Sequence, residues 1–102
     1  MPGDVYLYML IIAGYLVVDR NQRDGYVKDC ARVVESALAA SGCLDFSITA
    51  DTVDPTRIRI YERWEGEQEL LAFRGSGPSD GQQAAILDAD VKRYGVSSIG
   101  EA

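Results

Sequence analysis

Histidine is absent from this chain, and that absence excludes more chemistry than any single residue present supplies. The commonest metal ligand and the usual general base near neutral pH are both gone. Basic charge is short as well, with ten Lys and Arg against sixteen Asp and Glu and a net charge of −6. The basic residues are scattered, whereas neutralising a phosphate backbone takes a clustered basic surface, so no nucleic acid is expected as a partner. Only two cysteines occur, Cys30 and Cys43, and their separation of 13 matches no metal or redox spacing. Both fall where an apolar residue is wanted and are expected as small buried hydrophobes in a reducing cytoplasm. Long hydrophobic runs are missing too. The most apolar stretch, residues 5–18, is too short to span a membrane, and no Lys or Arg precedes it as a secretory leader would require. The chain has no Walker loop, Rossmann glycine pattern, nucleophile elbow or metal cluster, and no repeat or linker.

What remains is an ordinary globular composition, 47% hydrophobic and 25% charged over 102 residues. That length makes one domain with a real core, marginal as a lone monomer. Residues 1–8 are expected as an extension outside that core. Residues 9–18 read as a strand apolar on both faces, hence covered on both sides. A helix follows, with Asn21 as its cap and Asp24 reaching back. Its apolar stripe is Val27, Cys30, Ala31, Val34 and Leu38, and Gly42 supplies a left-handed stop. Residues 43–51 alternate, with Leu44, Phe46, Ile48 and Ala50 on one side, and 51–56 form a turn-rich hairpin loop.

Residues 57–64 carry the strongest pattern. Strict alternation places Ile58, Ile60, Glu62 and Trp64 on one face and Arg57, Arg59, Tyr61 and Arg63 on the other. The only tryptophan thus ends a strand one side-chain layer from a carboxylate, beside an apolar wall. A short helix over 66–74, a loop over 75–81, another helical turn or two over 82–87 and a last strand over 90–99 complete the chain. The order strand, helix, strand, strand, helix, strand predicts an α+β, ferredoxin-like βαββαβ fold, one antiparallel sheet with helices on a single face. The second apolar face of the first strand then needs a cover, and a homodimer packed sheet to sheet supplies it.

These residues resemble the antibiotic biosynthesis monooxygenase family of dimeric α+β barrels. The resemblance is carried by residues 41–46, Asp51 with Asp54 and Pro55, residues 57–64, Glu69 and Leu70, and Arg93 with Tyr94. It implies a dimer whose sheets face each other, with one cavity per subunit between sheet and helices. It further implies, in some members, oxidation of polycyclic phenols or quinols by molecular oxygen with no metal, flavin or other cofactor. In others it implies haem degradation. Trp64 matches the family's cavity tryptophan. Departures are equally specific. Anthrone-type oxygenases are expected to have asparagine where this chain has Ile60, and tyrosine where it has Leu70. Haem-degrading relatives need an axial histidine and a first-strand asparagine, but this chain has no histidine and offers Ala13, Gly14 and Tyr15. Haem is therefore not expected.

A cofactor-free oxygenase needs a dry cavity and a group to take a phenolic proton. Glu62 is the candidate base, with Trp64 beside it, because burial on an apolar face raises a carboxyl pKa. The alternative for Glu62 is a pairing with Arg74 or a helix cap. Arg74 is the candidate for holding an anionic substrate oxygen, unless it only satisfies helix carbonyls. Tyr15, Tyr94, Ile60 and Phe46 complete the candidate walls for a small aromatic substrate, and the glycines of 75–81 are a candidate lid. Two other readings compete with a phenol monooxygenase. One is a non-catalytic dimer that binds a small apolar molecule or assembles with other chains. The other is a proton-transfer enzyme such as an isomerase, using the same carboxylate.

Overall fold

Strand-forming residues packed end to end make Met9–Val17 the central strand, β1, of a four-stranded sheet. The computed structural model describes residues 8–75 and 80–102. Most of the expected 1–8 extension and of the 75–81 lid lies outside the described residues. After β1 come helices α1 (Arg23–Asp29) and α2 (Ala31–Ala39), then β2 (Cys43–Ala50) and β3 (Arg57–Trp64). Helices α3 (Glu67–Arg74) and α4 (Asp80–Ala85) precede β4 (Asp88–Val96). The sheet order is β2-β3-β1-β4 and every pairing is antiparallel. This is the α+β, ferredoxin-like arrangement that the element order predicts.

Register decides which residues meet. Leu10, Ile12, Gly14 and Leu16 of β1 lie opposite Trp64, Glu62, Ile60 and Ile58 of β3. All eight share the helix-covered face by alternation. Leu10, Ile12, Ala37, Phe46, Trp64 and Leu70 are buried there as one cluster. Phe46, Trp64 and Phe73 form its aromatic centre. The Phe46 ring stands edge-on to Trp64 at 6.5 Å, and the Trp64 and Phe73 rings lie 5.4 Å apart. Such pairs add roughly 0.5–1.5 kcal/mol beyond the area they bury.

Four local expectations need correction. The first helix is two segments, because the Cys30 N–H is shared between the carbonyls of Tyr26 and Val27 and the α-helical ladder breaks there. Its start is Gln22 rather than Asn21. Asp19 accepts from the Asn21 N–H through its side chain and from the Gln22 N–H through its carbonyl. Leu38 is 53% exposed, and Ala37 takes the buried position instead. Leu44 likewise faces outward, because a bulge between Cys43 and Asp45 hands the inner position to Cys43, opposite Trp64. Gly42 does adopt the left-handed conformation, at φ 81°. A Cβ there would collide with the Glu69 side chain, so the turn into β2 has room for glycine alone.

Candidate functional site

Between sheet and helices lies a cavity of about 470 Å³. Its floor is the inner face of the sheet, with Ile12 and Leu16 from β1, Phe46 and Ile48 from β2, and Val91 from β4. Ile60 and Glu62 of β3 complete that floor. Helices α1 and α2 contribute Tyr26, Cys30, Arg32, Val33 and Ser36, and α3 contributes Phe73 and Arg74. Ile86, just past α4, closes one side. A volume in this range, mostly apolar with a few polar groups, is what a small organic ligand requires.

Glu62 is the one acid that lines the cavity among the described residues. Register sets Ile12 beside it on β1 and Phe46 beside it on β2. The carboxyl thus stands in an apolar strip with one hydrogen-bond donor, the Trp64 indole N–H, which reaches Oε1 at 3.0 Å. Burial raises the Glu62 pKa above the ordinary value, while the indole hydrogen bond and the positive charge of Arg74 pull the other way. The result is a partly desolvated carboxyl held in one orientation, with its pKa raised in the direction that suits a general base.

Trp64 is placed differently from the expected cavity wall. It is 0% exposed, flanked by Leu10 and Cys43 across the sheet and packed on Phe46 and Phe73. Only its N–H serves the site, through Glu62. Ile60, Phe46 and Arg74 do line the cavity. Tyr15 and Tyr94 do not, since alternation puts them on the opposite sheet face. Tyr15 lies across from Arg59 and Asp90, with the Arg57 guanidinium 4.0 Å above its ring, and Tyr94 lies across from Ile11 and is 52% exposed. Leu70, where an anthrone-type tyrosine would stand, is sealed in the core.

Sequence reasoning missed the contributions of α1 and α2. Tyr26, Cys30, Val33 and Ala37 recur at helical spacing, and that stripe was the available signal. It was obscured by the second apolar series through Val27, Ala31 and Val34. Arg32 and Ser36 gave no signal, because polar residues four apart usually mark a solvated helix face.

The family profile for antibiotic biosynthesis monooxygenases matches residues 9–89. No curated protein matches the chain. Among solved structures, a candidate antibiotic biosynthesis monooxygenase from Chloroflexus aurantiacus is 26% identical, with a TM-score of 0.69 over 92% of this chain and 96% of that one. A conserved protein of unknown function from Bacteroides thetaiotaomicron, described as a possible oxidoreductase, aligns at TM-score 0.77 and 13% identity over 88% of this chain and 99% of that one. A Pseudomonas aeruginosa protein aligns at 0.76 and 15% identity, over 92% and 98% of the respective chains. The latter two likenesses speak to the fold alone.

Proposed function

This chain belongs to the antibiotic biosynthesis monooxygenase family, and from that premise we propose that it oxidises a small aromatic phenol or quinol with molecular oxygen, without a cofactor. The observation that carries this reading is the Glu62 carboxyl, set between Ile12 and Phe46 at the floor of an apolar cavity and oriented by the Trp64 N–H.

In the proposed reaction Glu62 takes the phenolic proton, and the phenolate passes one electron to oxygen. The two radicals join at a ring carbon para to the oxygen, and Glu62 returns its proton to give a hydroperoxide. Loss of the ring C–H proton with cleavage of the O–O bond then releases water and leaves a quinone. Phenol and oxygen go to quinone and water, so no outside reductant is consumed. Water exclusion by Ile12, Phe46, Ile60 and Phe73 strengthens the electrostatic influence of the few polar groups present.

A homodimer joined through the open sheet faces, acting in the cytoplasm, is part of the same proposal. Among the described residues no helix is long and apolar enough to cross a membrane. A non-catalytic binding protein is the second reading, favoured by Ile60 and Leu70 at the positions where anthrone-type oxygenases have polar groups. Oxygen uptake against a panel of anthrones and naphthoquinols separates them. Turnover that Glu62→Gln abolishes supports the oxygenase, and saturable binding of the same panel without oxygen uptake supports the binding protein. Solvent deuterium appearing in a recovered isomer, with no oxygen consumed, would instead identify a proton-transfer enzyme.

A further inference from the structure

We propose that the molecule taken by this cavity is an organic anion, an aromatic body bearing a carboxylate that Arg32 and Arg74 hold. This rests on the cavity being the ligand site, and it narrows the ligand's chemistry.

Four of the other cationic side chains, Arg23, Arg59, Lys92 and Arg93, each meet a carboxylate, those of Asp24, Asp51, Asp90 and Glu67 respectively. Arg32 and Arg74 come from two different helices, α2 and α3, and both line the cavity. Neither makes a hydrogen bond or ion pair to any described residue, and the positive charge of Arg74 acts on Glu62. Glu62 is a single carboxyl facing two guanidinium groups, so positive charge remains in excess along the lining. In a chain of net charge −6, a cavity lined by two unpaired guanidinium groups is a local reversal of sign. It draws in an anion that the rest of the surface would repel.

The walls fix the rest of the ligand. Ile12, Phe46, Ile60, Phe73 and Val91 offer only apolar contact, which suits a flat hydrocarbon body. At about 30 Å³ per non-hydrogen atom, water's share of liquid volume, the 470 Å³ cavity accommodates roughly 16 such atoms. That is a bicyclic or small tricyclic aromatic acid. Guanidinium groups recognise carboxylates through charge-assisted, often two-pronged hydrogen bonds, so replacing the acid by its ester removes the recognised feature without changing the ring.

The test uses 6-hydroxy-2-naphthoic acid and its methyl ester, titrated calorimetrically into the wild-type protein, Arg32→Gln, Arg74→Gln and the double variant. The acid should bind about tenfold more tightly than the ester, and only the acid's affinity should fall as salt is raised. Each single variant should weaken acid binding severalfold, the double variant should bring it to the level of the ester, and ester binding should stay unchanged throughout. Both side chains are solvent-exposed at the cavity, so circular dichroism should match wild type. Equal affinity for acid and ester overturns the proposal while leaving the cavity as the ligand site, and so does equal weakening of both by the variants. Failure of both compounds to bind the wild-type protein overturns the cavity reading and this inference together.

Discussion

Replacing Glu62 by glutamine removes an ionisable group from between Ile12 and Phe46 while keeping an acceptor for the Trp64 N–H. The folded-state pKa of Glu62 lies above its unfolded value, so the folded chain holds that proton more tightly. Stability from this group is therefore full below the unfolded carboxyl pKa and declines as pH rises through the folded one. Glu62→Gln should abolish turnover of any confirmed substrate yet raise the thermal midpoint relative to wild type at pH 8 more than at pH 4. A midpoint difference independent of pH would assign Glu62 no buried charge. Trp64 supplies a second readout, because it is the chain's only indole and touches this carboxyl directly. Its emission should titrate with Glu62 in the wild type and lose that titration in Glu62→Gln. With the ring sealed among Leu10, Phe46 and Phe73, Trp64→Phe should cost roughly 1–3 kcal/mol in denaturant unfolding, from lost contacts and an unfilled void. The expectation that this ring walls the cavity came from the family resemblance, since its place at the end of an alternating strand suits a core plug at least as well. Alternation sets which face a side chain takes, but how deep it lies depends on what covers that face, here Phe73 of α3.

Among the elements, the β2–β3 hairpin and the middle of β1 carry the most specific structure. Asp51 closes the hairpin, accepting from the backbone N–H groups of Val53 and Asp54 and from the Arg59 side chain. These bonds hold its pKa at about 2. With the folded pKa depressed, this contribution is present above the unfolded value near 3.8 and is lost as pH falls toward 2. Asp51→Asn should therefore lower stability at neutral pH and flatten the acid limb of a pH–stability curve between those values. Gly14 sits in β1 between Ile60 and Val91, with φ at 151°. A Cβ built there would collide with the Asp90 carbonyl oxygen. Gly14→Ala should destabilise the protein by about 1–3 kcal/mol in chemical denaturation through backbone strain and displacement of β4. Strand β3 was legible in the sequence from Arg57 to Trp64, because its period-two pattern is local and uninterrupted. The break at Cys30 was not, since a shared hydrogen bond within one turn leaves the apolar spacing intact.

For the whole molecule, the uncovered sheet face is the feature that calls for an assembly. Ile11, Ala13, Tyr15 and Val17 run along its centre, flanked by the arginines of β3 and by Tyr94 of β4. Nε of Arg57 and Nε of Arg63 are shielded from solvent there with no hydrogen-bond partner among the described residues. Leaving such donors unmet is costly, and a second copy of the sheet would bring acceptors as well as apolar contact. Light scattering at micromolar concentration should give twice the 11.2 kDa chain mass, and a clean monomer would count against the barrel assembly. The sequence by itself determined the class of fold, the inward face of β3 and the pairing of an acid with a tryptophan two residues on. All of these follow from periodicity along a single element. Tertiary structure alone decided that Tyr15 and Tyr94 turn away from the cavity, that the Trp64 N–H reaches Glu62 while its ring is sealed, and that Arg32 and Arg74 both line the cavity. Those outcomes depend on register between strands and on how two helices seat over the sheet, contacts between residues far apart in the chain that no local pattern encodes.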